Sequence, residues 1–293
     1  MILIALGFLA GKIGFFNESG AKTCGQLVMY FVTPCVIIKS LMMRFDAGVL
    51  RSMAISFSLT LLLFIVTILF SHFLLHEKDV KRERVLRFAA VFSNCGFMGL
   101  PLQEALLGDE GVLYGSVYVV LFNIVVWSYG IRLMSGDRGS VSPKRLLINP
   151  GITSLLIGLT LFLFSVPVPA PLRSAVSHMA AMNTPLPMLI IGYHLSQSRL
   201  LAAFRSPKAL FAIFLRMVGY PFASLGLLWL LGVRGVLLIS LVISVSAPSA
   251  ALTAIFSVQY DDDTELSVNL VSTGTLLSMI TMPLVITAAK CLA

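Results

Sequence analysis

The stretch from Arg87 to Gly108, RFAAVFSNCGFMGLPLQEALLG, is long and apolar enough to cross a bilayer, yet its centre holds Ser93, Asn94, Gly96, Gly99 and Pro101. These are residues that disfavour an uninterrupted helix. Pro101 lacks an N–H and its ring collides with the carbonyl four residues back, at Phe97, while the two glycines lower the cost of leaving helical dihedrals. A break here frees backbone groups at mid-membrane depth, which is tolerable only where protein or a water-filled cavity satisfies them. The stretch reads as a broken membrane helix and therefore as a binding-site signal. Taken alone it has a second reading, a proline kink in an ordinary packed span with Asn94 bonded to a neighbouring helix.

The surrounding chain is of the same kind. With 58% hydrophobic residues, 12% charged residues and a mean hydropathy of +0.96, its 293 residues hold too little polar surface to cover a soluble core. The expected class is an all-α polytopic membrane protein. Apolar runs, cut at charged and turn-rich gaps, predict ten spans, at 1–15, 25–41, 49–75, 86–106, 112–134, 152–166, 175–194, 209–231, 235–258 and 267–289. The net charge of +8 does not point to nucleic acid, because the basic residues fall between the runs, where they orient helices. Cys24, Cys35, Cys95 and Cys291 form no CxxC pair, so neither a metal site nor a disulfide framework is expected, and no motif implies a cofactor. The opening run has no basic leader and no small-residue cleavage site, which excludes a secretory signal peptide. It is short for a crossing, with Lys12 near its end, so its natural start is expected upstream of Met1.

Of the 21 Lys and Arg residues, 14 lie in gaps that share one side of a ten-span chain, 6 lie on the other, and Arg216 falls within a span. Basic loops stay in the cytoplasm, so both termini are expected outside a cell membrane. The acidic gap of Asp261, Asp262, Asp263 and Glu265 lies inside on this scheme. The sequon at Asn17 also falls on the cytoplasmic side, which leaves it without meaning.

An odd number of spans per half makes the second half insert upside down relative to the first, and two places in the sequence support such a repeat. Pro34-Cys35-Val36-Ile37-Ile38 in the second span resembles Pro187-Met188-Leu189-Ile190-Ile191 in the seventh. The break from Asn94 to Pro101 has a counterpart in the ninth span, where Ser244, Ser246, Pro248, Ser249 and Thr253 interrupt an apolar run. Paired interruptions favour the broken-helix reading over the kink. The polar, basic gap from Ser135 to Pro150 is the expected linker, dividing the chain into repeats at 1–140 and 141–293.

Two broken helices crossing at the midplane point half-helix N-termini at one spot, where unpaired N–H groups and partial positive charge suit a carboxylate. The candidate binding residues are Asn94, Ser93, Gly96 and Pro101 in the first break, with Ser246, Pro248, Ser249 and Thr253 in the second. Asn123 and Asn183 are further polar candidates on the fifth and seventh spans. Each polar side chain has the alternative of a structural hydrogen bond between helices. Arg216 is either a substrate contact or a long side chain reaching back to the cytoplasmic surface. Glu104 is the one acid within a crossing, so a buried carboxylate pair for proton relay or sodium binding is not visible. His72, His76, His178 and His194 lie near span ends, as interface anchors do.

The run NCGFMGLPLQEALLG, the Pro34 and Pro187 segments, NPGI at Asn149 to Ile152, and SAPSA in the ninth span together resemble the auxin efflux carrier family, whose bacterial members include malonate and malate permeases. The resemblance covers nearly the whole chain. It implies ten helices in two inverted five-helix repeats, broken fourth and ninth helices that cross, a scaffold domain and a transport domain each drawn from both halves, elevator-like alternating access and a homodimer. The crossover asparagine and proline map onto Asn94 and Pro101, and the second proline onto Pro248. Leu252 stands where family members often carry a second asparagine. The expected function is secondary transport of a small organic anion, a mono- or dicarboxylate. Its alternatives are a sodium-coupled symporter of the bile-acid type and a membrane sensor that binds a metabolite without moving it. No Ser/His, paired-Asp or HExxH arrangement in the spans supports an enzyme.

Overall fold

The computed structural model describes residues 2–136, 150–197 and 206–293. The expected interhalf linker lies almost wholly outside the described residues, as do Met1, Asn149 of the NPGI run and the basic residues Arg138, Lys144, Arg145, Arg199 and Arg205. Within the described residues the secondary structure is helical except for one isolated antiparallel bridge. In chain order the helices are α1 (Ile2–Lys12), α2 (Glu18–Leu41), α3 (Ala47–Leu74), α4 (Val80–Val91), α5 (Cys95–Ser135) and α6 (Pro150–Leu163). They continue as α7 (Ala170–Ala181), α8 (Pro185–Gln197), α9 (Pro207–Leu230), α10 (Gly235–Ser246), α11 (Leu252–Gln259) and α12 (Thr264–Leu292). Five of them, α2, α3, α5, α9 and α12, are long and apolar enough to cross a membrane, and α1, α6 and α10 are shorter apolar helices.

Helix α3 shows why these elements belong in lipid. Its buried face carries Ser56, Thr60, Leu63, Thr67 and Ser71, whereas Phe57, Leu61, Ile65, Leu69 and Phe73 on the other face are exposed. A soluble helix would hide the second set. Small and weakly polar residues inward with large apolar residues outward is the arrangement for close packing against protein and contact with hydrocarbon. Asp46 caps the helix by accepting from the Val49 N–H at 2.9 Å.

Three helices are widened by one residue per turn just before a proline. The wide turns are Val28–Val32 ahead of Pro34, Cys95–Gly99 ahead of Pro101 and Leu215–Gly219 ahead of Pro221. A proline cannot donate to the carbonyl four residues back and its ring crowds it, so the preceding turn opens to i→i−5 bonding. The Gly99 N–H accordingly reaches the Asn94 carbonyl at 3.4 Å.

Two runs break differently from expectation. The fourth and fifth runs have no loop between them, because α5 passes through a kink at Gly108 with φ 65° and ψ −154°, a backbone conformation that glycine adopts without steric cost. The seventh run, expected as one helix, is divided into α7 and α8 at residues 182–184. The N–H groups of Met182 and Asn183 close tight turns onto Met179 and Ala180, and Pro185 then starts a new helix, where its missing donor costs nothing.

Packing gathers α1 against α8, and α2 against α6 and α7. The largest apolar core draws mainly on α3, α4, α5, α9, α10, α11 and α12, and takes in Val36 of α2 and Ala180 of α7. A smaller cluster containing Ile4, Met98, Ile191, Leu195, Ile243 and Met282 joins α1 and α8 to α5, α10 and α12.

Candidate functional site: a crossing of two interrupted helices

The interruptions expected in the fourth and ninth runs are both present and lie against each other. After α4 the chain extends at Phe92, and after α10 it extends at Ala247. The extended segments pair antiparallel at Ser93 and Ser249. The Asn94 N–H donates to the Pro248 carbonyl at 2.6 Å, and the Ala250 N–H donates to the Phe92 carbonyl at 2.9 Å. Each break therefore satisfies backbone groups that the other frees, which is what apolar surroundings require. The Ser249 hydroxyl adds a bond to the Ala89 carbonyl at 2.8 Å, tying the second break to the end of α4.

Arg216, on α9, is 1% exposed and points into this crossing rather than to a surface. Its Nε donates to the Ala247 carbonyl at 3.0 Å, and its Nη1 to the carbonyls of Ala90 at 3.1 Å and Val91 at 3.2 Å. Its Nη2 donates to the Val245 carbonyl. These acceptors are the last carbonyls of α4 and α10, the groups that a helix end leaves without partners. Gln103 of α5 makes a second tie, donating at 2.8 Å both to the Ser240 carbonyl and to the Ser244 hydroxyl of α10.

On the other side of the crossing, where α5 and α11 begin, lies a cavity of about 50 Å³, room for a few waters or one carboxylate-sized group. Its polar lining is Asn94, His194, Ser272 and Thr275, and Phe97, Ile190 and Ile191 supply apolar wall. Asn94 caps no helix with its side chain, so its amide is available to a ligand. Gly96 stands in the first turn of α5, and a methyl group built there would meet only open space.

The other expected residues divide clearly. Ser93 is fully buried in the bridge, and Pro101 is buried just after the wide turn. Thr253 is buried in the first turn of α11, with no hydrogen-bond partner for its hydroxyl. Ser246 donates back to Ile243 at 3.0 Å and Asn123 to Val119 at 2.8 Å, each on its own helix. Asn183 lies in the α7–α8 break, fully buried with both amide atoms unpartnered, but it does not line the cavity. His194, Ser272 and Thr275 were missed as site residues. His194 follows Ile190 and Ile191 at helical spacing on α8, and VSTGT from Val271 to Thr275 is a polar run inside an apolar helix. Those were the signals that could have found them.

Proteins named as transporters are similar to this chain over nearly its whole length. The chain is 24% identical over 288 residues to an uncharacterized transporter of Methanothermobacter thermautotrophicus, covering 97% of this chain and 94% of that protein. It is also 24% identical over 294 residues to an uncharacterized transporter of Methanocaldococcus jannaschii, with the same two shares. Residues 1–286 match the membrane transport protein family. A multi-pass membrane protein whose two interrupted helices meet beside a small cavity, this chain belongs to that family, the auxin efflux carriers.

Proposed function

We propose that the protein is a secondary transporter of a small organic anion, a mono- or dicarboxylate, which it carries across a cell membrane by alternating access. The observation that carries this reading is the uncapped Asn94 amide at a cavity bounded by the first turns of α5 and α11. Both helix starts direct N–H groups and partial positive charge to that side, where a carboxylate gains most. On this reading Asn94 and the backbone from Cys95 to Gly96 bind the substrate. Ser93, Pro101, Pro248 and Ser249 hold the crossing in shape, Ser272 and Thr275 add hydroxyls, and Thr253 and Asn183 remain polar reserves for another conformation. Arg216 supports the crossing from behind.

The same reading takes the chain as ten spans in two inverted repeats, 1–140 and 141–293, with both termini outside and a homodimer as the working unit. Helices α1, α2, α6, α7 and α8 form the scaffold, and the remaining helices move. The cavity lies between α8 and the crossing, where such a movement would open it to either side. The test is counterflow of labelled malonate and malate into proteoliposomes. The parent chain is expected to exchange them, and Asn94→Ala to lose on the order of 100-fold in rate while staying folded, the cost of misplacing a bound reactant. Equal rates in the two proteins would overturn the site. Ligand binding with no flux would favour the sensor.

A further inference from the structure

We propose that Arg216 is a built-in cation of the crossing, a positioning residue that fills the carbonyl cage where a coupling metal ion would otherwise sit. The anion-transport consequence rests on the function proposed above; the cage itself does not. Four backbone oxygens, from Ala90, Val91, Val245 and Ala247, converge on one guanidinium. Three nitrogens share these oxygens, Nε taking one, Nη1 two and Nη2 one, and backbone oxygens turned inward are the ligands that a hard cation takes. Here the charge is supplied covalently. Among the described residues no carboxylate forms an ion pair with Arg216, and the groups acting on it electrostatically are Tyr118, Tyr220 and Cys95. Its charge is therefore balanced by the helix ends themselves.

The charge arithmetic shows what this does. A helix end carries roughly half an elementary charge, negative at the C-terminus and positive at the N-terminus. The ends of α4 and α10 together bring about one negative charge into a water-poor interior, and one guanidinium offsets it. The starts of α5 and α11 keep their positive ends facing the cavity, with no acidic side chain in its lining among the described residues. The crossing thus stays net positive without any bound metal ion. An anion can then enter with no sodium or potassium partner.

The test uses the full-length parent, Arg216→Ala and Arg216→Lys, each purified in detergent and reconstituted. Melting temperature and malonate counterflow are measured in choline, sodium and guanidinium salts at one ionic strength. The parent should melt and exchange identically in the three salts. Arg216→Ala should melt lower in choline, gain stability saturably with sodium or guanidinium, and recover exchange in parallel from a rate about 100-fold down, as expected for a displaced site. Arg216→Lys, which keeps the charge, should exchange without a cation requirement. A parent that needs sodium overturns the proposal, as does a folded Arg216→Ala that no cation stabilises or a folded Arg216→Lys that has become sodium-dependent. If Arg216→Ala does not fold, the parent and Arg216→Lys decide the matter. If the parent exchanges no carboxylate, the transport reading fails while the cation dependence of melting still judges the cage.

Discussion

At the scale of single residues, position in the fold sets the chemistry. Among the described residues, His194 is the one ionisable side chain in the lining of the cavity. Histidine ordinarily changes charge near pH 6.5, and its cation form would attract a carboxylate. Exchange of a carboxylate that stays ionised throughout should therefore show a several-fold better apparent affinity at about pH 6 than at about pH 8. His194→Gln should flatten that difference. A pH profile unchanged in the variant would remove His194 from the site. Asp262, in the turn between α11 and α12, illustrates the opposite case. Its carboxylate is buried 3.7 Å from Arg84 Nη1, and neither oxygen has a hydrogen-bond donor. Burial pushes its pKa from 3.8 up to about 6, outweighing the downward pull of Arg84 and Lys81. The folded state then binds more protons than the unfolded one between these values, so this stabilising contribution is full below 3.8 and is lost as pH rises through about 6. Asp262→Asn should raise the stability at about pH 8 by on the order of 1 kcal/mol, with the gain shrinking toward about pH 5. Thermal melts at the two pH values decide it.

At the scale of elements, close backbone approach governs how α1 and α8 pack. A methyl group at Gly7 would run into the backbone of Leu189, and one at Gly192 into the backbone of Ile4, Phe8 and Gly7. Two helices with reciprocal glycines at their contact touch main chain to main chain, which substitutes for the hydrophobic drive that lipid does not supply. Gly192→Ala should cost about 1–3 kcal/mol, the range for overpacking, because backbone cannot swing aside as a side chain can. Melting of the purified variant measures this, and an unchanged midpoint would show that α1 is loosely held. The sequence marked the two interruptions, at Asn94 to Pro101 and at Ser244 to Thr253, but not the wide turns ahead of Pro34 and Pro221. It did not expose the glycine contact, because a glycine in an apolar run has no periodicity to mark which neighbour it meets. Nor did it divide α7 from α8, since Asn183 and Pro185 fall in a run that is otherwise apolar enough for one helix.

At the scale of the whole molecule, the membrane class, the apolar runs and the two interruptions could be read from the chain. All three depend on local composition: hydrocarbon demands apolar surface, and proline and glycine weaken helices wherever they stand. The expected Asn94 is at the cavity for the same reason, as it sits beside the break that frees the backbone. What only the tertiary structure decided is which distant groups meet. For Arg216 the sequence leaves a substrate contact or a reach to the surface, and the packing of α9 beneath two helix ends turns it toward four carbonyls. His194 looked like a span-end anchor until α8 was laid beside the crossing. Ser246 and Asn123, for which the sequence leaves both a ligand contact and a structural bond, each donate to a carbonyl of their own helix. Local sequence sets where a helix must break, because the cause lies within one turn; the partners of the freed groups come from segments 29 to 160 residues away, and only three-dimensional packing selects among them.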